Sequence, residues 1–225
     1  MEGRYDEALH EFVWFHEHAL AEQPSLYGVR LSYGLFYWME LAALYPPARV
    51  TLEQIRDRKT TALLSNLEDR DVFHDIASIN DHLLEQGKTH ALFVKLVASN
   101  PEFAEACSRY ALPSLVLAGD FELAERFSPD PEHQLRELGT DLNRTIQRRK
   151  QGRYSPAPRI KAEIHIYAEK VKQLMVISDG LGKKTESARL QQVAIQSIQA
   201  TSIRKAVAAA LEPNARPWFE RAYRK

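Results

Sequence analysis

Apolar positions recur at intervals of three and four residues in almost every long segment of this chain. That is the period of a helix with one face turned to a core, and no run of strict alternation points to a strand. Residues 4–22 set Ala8, Phe12, Phe15 and Ala19 on one stripe, with Leu9, His16 and Leu20 beside it. Residues 27–45 are apolar around most of the circumference and are stopped by Pro46-Pro47, since a proline ring removes a backbone donor and crowds the preceding turn. Leu52, Ile55, Leu63 and Leu64 predict a third helix at about 48–66. Val72, Ile76, Ile79 and Leu83 predict a fourth at about 71–86, closed by Gly87, and a fifth comes next at about 88–98. The sixth opens at Asn100-Pro101, carries Phe103, Cys107 and Tyr110, and runs to Gly119 with a kink expected at Pro113. A short seventh holds Phe121, Leu123, Ala124 and Phe127, before Ser128-Pro129-Asp130-Pro131 breaks the chain.

From residue 128 the pattern narrows. Leu135, Leu138, Leu142 and Ile146 repeat at coiled-coil spacing, as do Ile160, Ile164, Tyr167, Val171 and Leu174. Gly152 to Pro158 reads as a linker or sharp turn, and Gly180 and Gly182 flank another. A last long helix is predicted at about 185–211, with Thr185 or Ser187 as its cap. The expectation is an all-α protein of two parts: 1–127, built of helical hairpins, and 128–225, a long-helix hairpin or a coiled coil able to pair two copies.

Composition adds little to this picture until charge is divided along the chain. Lys+Arg and Asp+Glu each number 30, so the net charge is zero. Residues 1–143 nevertheless hold 12 basic against 24 acidic side chains, and residues 144–225 hold 18 against 6. Such asymmetry bears on partners, not on fold. The single Cys107 excludes an internal disulfide and a cysteine-based metal cluster, and its apolar helical setting marks it as a buried small hydrophobe. The start of the chain lacks the basic-then-apolar order of a secretory signal, and Leu31–Tyr45 is too short to span a bilayer, which needs about 20 residues. A cytoplasmic protein is expected, with no membrane contact.

Three short segments share one design: Gly3-Arg4-Tyr5-Asp6-Glu7-Ala8-Leu9, Gly87-Lys88-Thr89-His90-Ala91-Leu92 and Gly119-Asp120-Phe121-Glu122-Leu123-Ala124. Gly permits a tight interhelical turn, an aromatic plugs the hairpin and a small Ala lets two helices approach. Over residues 1–127 these segments resemble the tetratricopeptide repeat family, and the 32 residues from Gly87 to Gly119 lie near that family's 34-residue period. The resemblance implies stacked helical hairpins, an α-solenoid, that bind a peptide or partner helix in a groove. It also implies that the groove is lined by the first helix of each hairpin, here 27–45, 71–86 and 102–118.

Placed at about 100° per residue, the least apolar face of 27–45 carries Arg30, Tyr33, Tyr37 and Glu40. That of 71–86 carries His74, Ser78, Asp81, His82 and Glu85. Together they form the candidate partner-binding set. His10, Trp14 and His18 recur at four-residue steps on the first helix, opposite Phe12 and Phe15, either as a partner contact or as a row that packs at a dimer contact. No cofactor, metal or catalytic role is expected. His16-Glu17-His18 splits its rings between faces, and His74 and His82 lie about 12 Å apart along the axis, too far to share one ion unaided. Ser78 lies near His74, His82 and Asp81 without a nucleophile elbow, and Gly180-Leu181-Gly182-Lys183-Lys184-Thr185 lacks the spacing of a phosphate loop. The basic patch Arg144, Arg148, Arg149, Lys150 and Arg153 carries the alternative reading, a nucleic-acid-binding protein contacting phosphates through the C-terminal helices. Otherwise the patch pairs with acidic surface of the same protein. The favoured expectation is a non-enzymatic interaction or scaffold module.

Overall fold

Pro46 and Pro47 begin a helix instead of merely ending one: Tyr45 turns extended, and the two rings occupy the first helical positions, where no backbone donor is needed. Helices of this kind make up the computed structural model, which describes residues 2–65, 68–150 and 157–212, apart from the side chains of residues 2, 3, 149, 150, 157 and 158. Most of the described residues are helical, with no strand among them. The contacts divide the chain into two units, residues 1–118 and 119–225. Phe121–Arg126, grouped by sequence with the first domain, thus belongs to the second unit.

The first unit begins with α1 (Glu2–Glu22). A helical run then comprises α2 (Tyr27–Val29), a π-helical turn (Arg30–Gly34) and α3 (Leu35–Leu44). α4 (Pro46–Leu64), α5 (Arg70–His82), α6 (Gln86–Ser99) and α7 (Pro101–Ala118) complete it. Each helix packs on its neighbour in sequence from α3 to α7, and α5 also touches α3 and α7. Leu31, Leu35, Trp38 and Leu41 meet Ala48, Leu52, Ile55, Ile79 and Leu83 in the core, with Ala8, Leu9, Phe12 and Val13 of α1 against them. The Trp38 indole donates to the Ala48 carbonyl at 2.9 Å, so its one polar atom is satisfied.

One of these boundaries differs from the sequence reading, and another agrees with it. Gly87 lies inside α6, and the left-handed residue between α5 and α6 is Leu84 (φ 60°), exposed where its side chain meets no neighbour's bulk. The turn survives because Glu85 N–H donates to the Asn80 carbonyl at 2.7 Å. α7 continues through Pro113 to Ala118, and Gly119 (φ 72°) supplies the turn beyond it.

In the second unit α8 (Phe121–Arg126), α9 (Pro131–Lys150), α10 (Ala157–Gly180), α11 (Lys184–Gln196) and α12 (Thr201–Leu211) gather around α10, which touches each of the others. The two narrow stripes are used inside this unit: Leu135, Leu142 and Ile146 of α9 are buried, as are Ile164, Tyr167, Val171 and Leu174 of α10. Gly180 is small because an added Cβ would overlap the Phe121 ring. The single long helix expected at 185–211 is two helices. Asn143 of α9 holds the break from both sides, its amide donating to the Ser197 carbonyl at 2.9 Å and its carbonyl accepting from Gln199 N–H at 3.1 Å. Arg204 donates to the Ile198 carbonyl at 2.7 Å, and Gly139 leaves room for Ser197, which a Cβ there would meet at 2.5 Å. Ser187, offered by sequence as a cap, is buried within α11.

Candidate functional site

The π-helical turn decides what the first unit shows to solvent. In an unbroken α-helix Arg30 would share a face with Tyr33 and Tyr37. A π turn holds about one extra residue, which rotates the succeeding side chains by on the order of 100°. Arg30 is therefore turned inward and buried, while Tyr33 and Tyr37 stand out, 56% and 55% exposed. Gly34 makes the wide turn compatible with α1, because its missing Cβ would sit 3.2 Å from the Phe15 ring.

Arg30 anchors a buried ionic cluster. Its Nη1 donates to Asp75 Oδ2 at 3.1 Å and to the His16 carbonyl at 3.2 Å, and its Nη2 donates to Asp75 Oδ1. This two-pronged grip is the strong form of an ion pair. Lys59 Nζ donates to Asp75 Oδ2 at 2.6 Å. The His16 ring lies 3.3 Å from Arg30 Nη1 and edge-on to Trp38. Burial, then the Arg30 charge, hold the His16 pKa down at about 4, against the opposing pull of Asp75. The ring is thus held neutral, which keeps a second positive charge away from the guanidinium. Asp75 is held below its usual carboxylate range despite burial, by hydrogen bonds from Arg30 and by Lys59. Arg30 Nε is sealed without a partner among the described residues, a cost of about 1–3 kcal/mol that the rest of the cluster offsets.

His74 continues the cluster toward the surface. Its Nδ1 lies 2.8 Å from the Tyr27 hydroxyl, which also donates to Asp71 Oδ1 at 3.2 Å. Its ring stacks on Tyr110 at 3.9 Å, with the Arg109 guanidinium over that tyrosine. Burial lowers the His74 pKa. Two candidate residues, Arg30 and His74, thus pin the α2 end of the helical run to α5 and do not line an open groove. Sequence reasoning missed Tyr27, Lys59 and Asp75, whose one signal is an unpaired Asp among the apolar positions of α5.

The other candidates are at or near the surface. Ser78 is half-buried, and its carbonyl accepts from His82 Nδ1 at 2.9 Å. With His74 turned to Tyr27, neither histidine ring is bonded to the Ser78 hydroxyl. Asp81 is exposed and accepts from Gln86 Nε2 at 3.0 Å, and Glu40 is exposed on α3. Val29, Tyr33, Tyr37 and Leu44, at steps of four, four and seven residues, are all exposed large apolar side chains. They form one stripe about 20 Å long. On α1, Trp14 is 45% exposed with His18 tilted against it at 5.9 Å.

In the second unit Arg144 is exposed and paired with Asp141 at 3.0 Å, and Arg148 is exposed. The side chains of Arg149 and Lys150, and Arg153 entirely, lie outside the described residues. Cys107 is fully buried, which pushes its thiol up to about 12. Among the described residues no helix is long and apolar enough to cross a membrane. No family model, curated protein or solved structure matches the chain.

Proposed function

We propose that the protein is a non-enzymatic interaction module whose first unit presents the Val29–Tyr33–Tyr37–Leu44 stripe to an amphipathic helix of another protein. The observation that carries this reading is the pair Tyr33 and Tyr37, more than half exposed on a helix whose opposite face is fully packed. Aromatic side chains bring large contact area at small cost in lost freedom and are enriched where proteins meet. A stripe of about 20 Å matches about four turns of a partner helix. Charge narrows the partner further: residues 1–118 carry 10 Lys+Arg against 17 Asp+Glu, so flanking basic residues on the partner would be drawn to it.

The same reading takes α1 to α7 as stacked hairpins in the manner of tetratricopeptide repeats. Its support is the packing order, in which α5 touches α3 and α7, its neighbours two helices away on either side. Affinity capture with the full chain and with a Tyr33→Ala/Tyr37→Ala variant tests the function. Partners retained by the first and released by the second are expected, and identical partner sets would sink the stripe. Fluorescence anisotropy with duplex DNA and RNA at low salt tests the basic-helix alternative on the same preparations.

A further inference from the structure

Away from the stripe, a cavity of about 220 Å³ opens between α4, α5 and α6. Three of its lining residues are cations, Arg56, Lys88 and Lys95, against one anion, Asp57. The rest of the wall is largely apolar, with Leu64 and Leu92. Arg56 is the feature that makes it a site. Its side chain is only 4% exposed, and a guanidinium so deep is costly unless its donors are used. Nε donates to Asp57, and Nη1 donates to Asn80 Oδ1 at 2.8 Å and to Glu85 Oε2 at 2.5 Å. Nη2 has no acceptor among the described residues, and it is not one of the sealed unpaired atoms, so it keeps a small contact with solvent. Lys88 leans on Glu85 at 2.8 Å, and Lys95 Nζ meets no acceptor among the described residues. Three cations therefore face two carboxylates, Asp57 and Glu85, leaving one positive charge and two open donors beside aliphatic surface.

We propose that this cavity binds a small carboxylate carrying a short aliphatic chain. The two oxygens bridge Arg56 Nη2 and Lys95 Nζ, as charge-assisted acceptors do, and the chain lies on Leu64 and Leu92. The volume equals that of about seven waters, room for an acid of a few carbons. The carboxylate is either a free short-chain acid or a glutamate side chain of a bound protein. The chemistry is shared, so the experiment separates the two sources.

Titration of the full chain with acetate, butyrate and phosphate at matched ionic strength, followed by heteronuclear NMR, tests the site. Butyrate is expected to bind in the millimolar range and to shift amides of α4 and α6. Two further methylenes on apolar surface should make it roughly tenfold tighter than acetate. Lys95, exposed and outside the core, is the residue to change: Lys95→Glu should abolish the shifts and Lys95→Arg should retain them. A capped Ala-Glu-Ala peptide binding more tightly than butyrate would assign the site to a protein side chain, and weaker binding would assign it to a free acid. No shift with any carboxylate, equal affinity for phosphate and butyrate, or shifts that persist in Lys95→Glu would each overturn the proposal.

Discussion

Residues 1–118 bury His16, Arg30, Arg56 and Asp75 among their helices, whereas the buried polar residues described in 119–225 are Ser128, Ser178 and Ser187. Both units are all-helical, and each has aliphatic side chains at its centre. They differ in what makes the arrangement unique. In the second unit helices close on one another through interdigitating Leu, Ile and Val, a contact that tolerates repacking. In the first, Asp75 must meet Arg30 and Lys59 together, and a slip of one residue would strand a buried charge. An ionic core of this kind adds little net stability, because desolvation consumes most of the attraction. Arg30, at the centre of that cluster, is also the first residue of the π-helical turn, beyond which Tyr33 and Tyr37 stand outward.

Asp75 is where this contrast between the units is most exposed to test. Asp75→Ala leaves Arg30 and Lys59 buried or half-buried without their anion and is expected to cost about 3–5 kcal/mol. Cys107 is the only cysteine and is sealed inside the first unit. The rate at which a thiol reagent labels it in increasing urea reports that unit directly. Labelling as slow as in the parent protein would mean that Arg30 and Lys59 tolerate the loss of their anion and that the cluster does not constrain the unit.

Acid should separate the units next. The His16 pKa is held at about 4 in the fold against 6.5 in the open chain. Between those values the unfolded state binds the proton and the folded state does not. Stability of the first unit therefore falls as pH drops from about 6.5 to about 4, by about 3 kcal/mol. Asp75, whose folded pKa is depressed, adds a loss in the same direction at lower pH, as its own folded pKa is crossed. Cys107 labelling repeated across this range checks the slope, and a His16→Asn variant should flatten it between pH 6.5 and 4. A slope unchanged by that substitution would assign the acid sensitivity elsewhere.

A milder effect is expected in the second unit. Asn143→Ala removes both hydrogen bonds at the break between α11 and α12 and is expected to cost about 1–2 kcal/mol. Amide exchange should quicken at Gln199. If exchange there were unchanged, the break would be held by Arg204 alone.

Much of the fold is legible in the chain. The stripes of α1, α5, α9 and α10 lie where their spacing puts them, and Gly119 and Gly182 take the left-handed turns that glycine favours. The failures share a cause. Pro46-Pro47 reads as an end, yet two prolines fit equally well at a beginning. The turn at Leu84 uses a residue with no local preference for it. The break at Ser197–Ala200 has neither Gly nor Pro, and it exists because Asn143, more than fifty positions away, supplies the missing partners. Of the candidate site, Tyr33 and Tyr37 were readable as outward aromatics, while Arg30 was misplaced because a π turn leaves no mark on a 3.6-residue projection.

The amino-acid order alone was enough for the helical class, the faces turned to the core, the isolation of Cys107 and the division of charge between the two ends of the chain. All of these rest on period and composition, which are local properties. It took the packed helices to establish that Arg30 meets Asp75, that burial beside Arg30 holds the His16 pKa down, that the coiled-coil stripes are buried within the second unit, and that a cationic cavity opens beside Arg56. Each of these depends on which charged or apolar groups lie opposite one another across helices. That pairing is settled by the whole core at once, since a buried charge is tolerated only where its partner arrives from another element.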